Sequence, residues 1–465
     1  MNTEDTICAI ATGQGGAIGI IRVSGQDAIS ITDKIFRPAG MDAAPLAARA
    51  AYTIAYGHIL DGNREPVDDV LISLFRAPHS YTGENSTEIS CHASPYILQS
   101  VMQLLVDNGC RAAEPGEFTR RAFLNGKMDL SQAEAVVDLI ASSSTASHRL
   151  AMSQMRGAFS RELAALRDKL LKLTSLMELE LDFSDHEELE FADRTELDNT
   201  AAQIETVISK LAKSFTLGNA IKNGVPVAIV GETNAGKSTL LNALVGEDRA
   251  IVSDIHGTTR DVIEDTVNIC GTTFRFIDTA GIRDTSDTIE RLGIDRTFKK
   301  ISQADIILWI IDTTDNSQKT DELAEKIIPC CKGKRLILTY NKTDIAPQVP
   351  YSIKANLPHG TLEISISAKQ GTNLEDLKQM LVSAAGIPKI SSGDIIVTNI
   401  RHYEALTRSL DAIRQVRQGM ADGFPSDLIA QDLRDCLHIL AEIVGGEISS
   451  EETLQNIFKH FCIGK

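Results

Sequence analysis

The stretch VPVAIVGETNAGKSTLLNALVG, residues 225–246, decides how the middle of this 465-residue chain is read. VPVAIV has the length and apolar run of a buried strand, and STLLNALVG continues at helical spacing. Between them Gly231-Glu-Thr-Asn-Ala-Gly236-Lys237-Ser238 spells G-x-x-x-x-G-K-S. In a strand–loop–helix context this spacing lets consecutive backbone N–H groups curl around phosphate oxygens at a helix N-terminus. The run Asn234, Ala235, Gly236, Lys237, Ser238, Thr239 is therefore the expected phosphate grip. Lys237 is expected between the β- and γ-phosphates, and the Ser238 hydroxyl on Mg2+.

Downstream, the apolar runs TFRFID, DIILWIID, RLILTY and LEISIS are separated by helix-length segments. Together with VPVAIV they give the strand–helix rhythm of a doubly wound parallel sheet. Three further motifs and a closing tripeptide follow in the order a guanine-nucleotide domain requires. Gly257-Thr258-Thr259-Arg260-Asp261 offers Thr259 to complete Mg2+ and sense the γ-phosphate. Asp278-Thr279-Ala280-Gly281 ends TFRFID, with Asp278 expected to hold Mg2+ through water and the Gly281 N–H to meet the γ-phosphate. Asn341-Lys342-Thr343-Asp344 ends RLILTY, and the Asp344 carboxylate accepts from N1–H and N2–H of guanine, a pattern adenine lacks. Ser367-Ala368-Lys369 ends the last strand and is expected to close over the base. A GTPase domain spanning residues 217–385 is the reading.

Hydrolysis is less fully specified. Where many small GTPases carry glutamine after D-T-A-G, this chain has Ile282, which cannot orient water. Added positive charge is needed at the transition state, often from an arginine finger. The side-chain carbonyl of Asn234 offers another route, by helping to hold a monovalent cation such as K+. Glu290 is a candidate for positioning water; an ordinary surface glutamate is the alternative.

Outside this domain, residues 1–118 read as mixed α/β. TICAIAT, AIGIIRVSG and DDVLISLFRAP look like strands, and SPYILQSVMQLLVDNG like a helix ending at Gly109. From Asp129 long helical patterns take over (119–216) and return after Pro388 (386–465). A nucleotide domain inserted into one helical domain fits, as do two separate bundles. The acidic stretch SDHEELEFADRTELD, residues 184–198, reads as a solvated face. Gly13-Gln-Gly15-Gly16-Ala-Ile-Gly19 imitates a dinucleotide loop, but a strand-like run follows it where a helix is needed.

The net charge of −17 repels nucleic acid at long range, so RNA contact requires a local basic patch or a basic partner. Eight scattered cysteines show neither a disulfide framework nor paired zinc spacing, with Cys462 set apart near the carboxyl end. No apolar run approaches the ~18 residues of a membrane span. The amino terminus lacks a basic secretory n-region. A cytoplasmic protein without membrane contact is expected.

The whole constellation resembles the MnmE (TrmE) family of tRNA-modification GTPases, essentially end to end. The resemblance rests on G-E-T-N-A-G-K-S-T-L, G-T-T-R-D and D-T-A-G-I-R in the nucleotide domain. It rests equally on Pro115-Gly-Glu-Phe-Thr-Arg-Arg-Ala-Phe-Leu-Asn-Gly-Lys127 leading into D-L-S-Q-A-E-A, and on Phe461-Cys462-Ile463-Gly464-Lys465. Thr233 departs from the family's usual proline without removing a ligand. The likeness implies an α/β tetrahydrofolate-binding and dimerising amino-terminal domain, a helical domain, and an inserted Ras-like G domain. It implies a homodimer that works with the flavoprotein MnmG, in a heterotetramer or larger complex, on C5 of the wobble uridine at tRNA position 34. A 5-formyl- or methylene-tetrahydrofolate derivative would supply the carbon of the aminomethyl or carboxymethylaminomethyl group. Its implied folate contacts are Arg22, Glu84, Lys127 and Lys465, and its K+ shell is Asn234, Ser253, Ile255 and Thr258. It adds nucleotide contacts along Ser253, Asp254, Ile255, His256 and Gly257. Glu290 matches the family's water-positioning glutamate, Arg260 and Arg283 its switch arginines, and Cys462 the cysteine it needs for modification. The rival from another class is a pure switch GTPase in ribosome assembly or signalling, which shares the nucleotide motifs and lacks the modification chemistry.

Overall fold

The structure is a computed structural model. It describes residues 5–13, 15–40, 44–182, 194–232, 234–247, 265–277, 301–315, 317–347, 357–388, 394–446, 454, 457–459, 461 and 464. The chain divides into two compact units, residues 1–137 with 441–465, and residues 138–440.

In the first unit the elements run β1 (Ile7–Ile10), β2 (Ile18–Ser24), α1 (Ala28–Ile35), β3 (Phe36–Pro38), β4 (Thr53–Leu60), β5 (Pro66–Phe75), β6 (Ser86–His92), α2 (Pro95–Asp107), β7 (Arg111–Ala112) and α3 (Glu117–Leu124). Helix α4 (Leu130–Ile140) then leads out of this unit. The strands form one sheet in the order β3-β4-β5-β6-β2-β1-β7. Neighbours are antiparallel except β1 and β7. The strand alternation does the sorting. Ile21 and Val23 of β2 join Ile29 and Ile31 of α1 and Val101 and Leu105 of α2 in one core. The opposite face of β1 packs Ile7 and Ala9 against Phe118 of α3. The glycine-rich decoy runs directly into β2, so no helix N-terminus is available there for a pyrophosphate.

The second unit begins with helical segments α5 (Thr145–Met155), α6 (Ala158–Asp182) and α7 (Arg194–Asn223). Ser144 caps α5 in a reciprocal capping box with Ser147. There follow β8 (Val225–Gly231), α8 (Lys237–Glu247), β9 (Asp265–Ile269), β10 (Thr272–Phe276), β11 (Ile306–Asp312), α9 (Ser317–Ile327), β12 (Arg335–Asn341), β13 (Leu362–Ser365) and α10 (Leu374–Ala385). Helices α11 (Ile400–Ala421) and α12 (Ser426–Val444) complete the elements. The five apolar runs are all strands, in a sheet ordered β13-β12-β11-β8-β10-β9. The sheet is parallel apart from β9, a sixth strand that the periodicity does not reveal, antiparallel to β10 at the edge.

Alternation along the central strands feeds two cores. Val225, Val227 and Ile229 of β8 face Leu240 and Leu244 of α8 and Leu377 and Leu381 of α10. Ala228 and Val230 face the other way, with Trp309, Ala324 and Ile327. Helices on both faces make the sheet doubly wound. The helices that flank it in sequence meet again. Arg417 of α11 bonds Asp198 and Glu205 of α7 at 2.9 and 2.7 Å, and Arg414 bonds Glu205 at 3.0 Å.

Candidate functional site: a phosphate loop and a charged cleft

The loop between β8 and α8 is shaped by close backbone approach. Gly231 has φ +151, and a Cβ there would sit 2.3 Å from the Ile310 carbonyl oxygen. Gly236 has φ +96, and a Cβ there would meet Asn341 Nδ2 at 2.2 Å. Asn234 between them takes φ +66, left-handed backbone that asparagine tolerates better than most residues. The Lys237 ammonium donates to the carbonyls of Gly231 and Glu232 at 2.9 and 2.6 Å. It therefore arches back over the loop from the first residue of α8. Ser238 and Thr239 follow in the same helical turn, where the helix dipole favours anions.

The base-reading motifs are tied directly to this loop. Asn341, 3% exposed, donates from Nδ2 to the Ala235 carbonyl at 2.8 Å and accepts the Ala368 N–H on Oδ1 at 3.0 Å. The Ser367 hydroxyl donates to Asp344 Oδ1 at 2.7 Å and accepts the Gln370 N–H at 3.2 Å. Lys342, with φ +69, ion-pairs with Asp312 at the end of the neighbouring strand. Three segments distant in sequence thus form one cross-linked cradle. Lys369 stands exposed beside it.

The first unit holds a second polar constellation. Arg22 on β2 lies opposite Glu88 on β6 and donates to its Oε1 through Nε and Nη2 at 2.9 and 2.8 Å. Its Nη1 donates to the Gly464 carbonyl at 3.2 Å, and its guanidinium lies over the Tyr81 and Phe118 rings at 5.3 and 5.7 Å. Two residues along the same face of β2, the Ser24 hydroxyl donates to Glu84 at 2.7 Å. Arg121, one turn beyond Phe118, donates to the other oxygen of Glu84 at 3.2 Å. The Lys127 ammonium donates to the Pro78 carbonyl at 3.0 Å, and its stem packs on Gly83. Arg22, Glu84 and Lys127 are therefore gathered around the Tyr81–Glu84 turn. Behind them Arg121 also meets Glu117 at 3.1 Å and Asp5 at 2.5 Å, and Arg111 pairs with both acids at 2.6 Å.

Residues 6–127 match the family model described as "GTP-binding protein TrmE N-terminus", and residues 130–462 match the MnmE helical domain. A protein of Phocaeicola vulgatus named tRNA modification GTPase MnmE is 60% identical, over 100% of both chains. Proteins of the same name from Bacteroides fragilis (strain YCH46) and Porphyromonas gingivalis are 62% and 49% identical, covering 99% of this chain and 100% and 98% of theirs. The chain belongs to the MnmE family.

Several MnmE-family positions fall outside the described residues: Ser253, Asp254, Ile255, His256, Gly257, Thr258, Thr259, Arg260, Asp278, Thr279, Ala280, Gly281, Arg283, Glu290, Cys462 and Lys465. Others emerge only in three dimensions. Glu88, Tyr81 and Phe118 surround Arg22, Arg121 orients Glu84, and Asp312 holds Lys342. Phe118 and Arg121 stand inside the P-G-E-F-T-R-R motif, so a signal for them existed. Asp312, an acid ending an apolar strand, gave none. No described helix is long and apolar enough to cross a membrane.

Proposed function

We propose that this chain is a K+-dependent GTPase which, with MnmG, modifies C5 of the wobble uridine of certain tRNAs using a tetrahydrofolate one-carbon unit. The observation that carries the GTPase part is the hydrogen-bonded link from the Ala235 carbonyl through Asn341 to Ala368, which joins phosphate loop to base slot. The Asp344 carboxylate, oriented by Ser367, reads the N1–H and N2–H edge of guanine. Ser238 and Thr259 would hold Mg2+, which would supply charge neutralisation at the phosphoryl group. Asn234 with Ser253, Ile255 and Thr258 would hold K+. Glu290 positions water, while Arg260 and Arg283 serve the switches.

The residues around Arg22 suit a folate. Glu84 is a carboxylate acceptor for an amino-pyrimidine edge, the half-buried Tyr81 offers a ring, and Arg22, Lys127 and Lys465 offer cations for the glutamate tail. Cys462 serves the modification step. The protein acts as a homodimer in the cytoplasm, and MnmG supplies much of the grip on tRNA, which accords with the net charge of −17.

The deciding experiment is nucleotide selectivity. Asp344→Asn should lower GTP affinity by at least about tenfold, the scale of a hydrogen bond to a charged group. It should shift preference towards xanthosine triphosphate, whose purine presents a carbonyl where guanine has its amine. Competition binding that shows unchanged GTP preference contradicts the assignment. A one-carbon role requires in addition that 5-formyltetrahydrofolate binds the purified chain.

A further inference from the structure

We infer that Asp312 is a positioning residue for guanine nucleotide: it fixes the Lys342 side chain in place before the nucleotide arrives. The inference rests on the GTP-binding reading and adds a residue that the motifs do not contain.

Asp312 ends β11 and lies directly opposite Asn341 in the parallel register of β12. Its two carboxylate oxygens have separate tasks. Oδ1 accepts the Thr314 N–H at 2.9 Å and the Thr314 hydroxyl at 2.6 Å, which fixes the plane of the group. Oδ2 is left to take the Lys342 ammonium. The turn itself is pinned, because Thr313 donates to the Asn341 carbonyl through both its N–H, at 3.1 Å, and its hydroxyl, at 2.8 Å. Lys342 has left-handed backbone with φ +69, which turns it away from the strand direction, and its carbonyl accepts N–H groups from Ile345 and Ala346. The ammonium on Asp312 is what gives the rotamer-rich stem one direction out of this turn. Asp312 is 11% exposed and Lys342 28%, so the pair is sheltered enough to hold yet open along the lysine stem. Burial alone would raise the Asp312 carboxyl; the Lys342 and Thr314 donors outweigh it and keep the group charged.

An unanchored lysine stem has to be immobilised when the base slot fills, and that ordering subtracts from affinity. Asp312 removes the cost in advance. Its loss should therefore appear in nucleotide binding and leave base choice alone, since Asp344 still reads the purine.

The test is a double-mutant cycle in the full-length protein. Asp312→Asn should raise Kd for GTP and for GDP by a similar factor of about tenfold, through faster dissociation, with GTP still preferred over ATP. In steady state the loss should fall on KM. In a Lys342→Ala background the same Asp312→Asn change should have no further effect on Kd. A general folding defect would persist in that background, so additive effects overturn the inference. Unchanged affinity in Asp312→Asn, with the unsubstituted protein binding GTP normally, overturns it too. Absence of GTP preference in the unsubstituted protein would instead refute the GTP-binding reading beneath it.

Discussion

Around the phosphate loop the groups that Lys237 and Asn341 meet are main chain: the carbonyls of Gly231, Glu232 and Ala235. Around Arg22 they are side chains, namely Glu88, Tyr81, Glu84, Phe118 and Arg121, drawn from a neighbouring strand, a turn and a helix. A main-chain site needs particular residues because of what they lack or how they bend, and these needs fall at fixed spacing. A side-chain site needs charges at the right place in space, and sequence spacing says little about that. The two regions should therefore fail differently when perturbed.

The largest effect is expected from a single methyl group in the main-chain site. Gly236→Ala places a Cβ 2.2 Å from Asn341 Nδ2, at a φ of +96. Asn341 cannot yield, because both ends of its amide are committed to Ala235 and Ala368. Either the loop or the base slot has to shift, so GTP affinity should fall by at least about 100-fold, the scale of 1.4 kcal/mol per decade applied to strain plus a lost buried hydrogen bond. Titration with a fluorescent GTP analogue measures it. Near-normal affinity would mean that the cradle is looser than its hydrogen bonds imply.

The side-chain site should break through charge. Arg121 is 4% exposed and Glu117 1%. Arg121→Met leaves Glu117, Glu84 and Asp5 short of a cation, and removing one partner of a buried network costs about 3–5 kcal/mol. Hydrogen exchange of the β1 and β2 amides should speed accordingly, while the nucleotide unit is spared. The same network sets an acid limit. Burial alone would raise the Glu117 carboxyl, but Arg111, the Glu114 N–H and Arg121 hold it below its ordinary 4.5. Asp5 likewise lies below 3.8, with Arg111 and Arg121 outweighing burial. A lowered native value means this stability is complete above those ordinary values and is lost as pH falls from them towards the native ones. Protection of β1 should therefore decline below about pH 4.5 in the unsubstituted protein. In Arg121→Met the decline should be shallower.

What the sequence made legible follows the same division. Gly231, Gly236 and Lys237 are readable because the phosphate loop occupies consecutive residues, and Asn341, Asp344 and Ser367 because their motifs follow strand ends in a fixed order. Arg22 and Glu84 are legible only through family likeness. Nothing in IIRVSG says that Arg22 will face Glu88, since that depends on β2 and β6 being neighbours in the sheet. β9 is illegible for a related reason: DTVNI is short and polar at its start, and pairing with β10 makes it a strand. Asp312 joins Lys342 across a register that only the folded sheet defines.

The smallest effect should come from a charge pair that is not buried. Arg434 and Glu178 bond at 3.1 Å, much as Arg121 and Glu117 do, but are 44% and 46% exposed. Water solvates each partner well when the other is removed, and holding two long side chains together costs rotamer freedom. Arg434→Ala should therefore change stability by less than about 0.5 kcal/mol. Amide exchange in α12 would register a larger change as faster opening. Such a result would mean that charge itself, and not its isolation from water, gives Arg121 its weight.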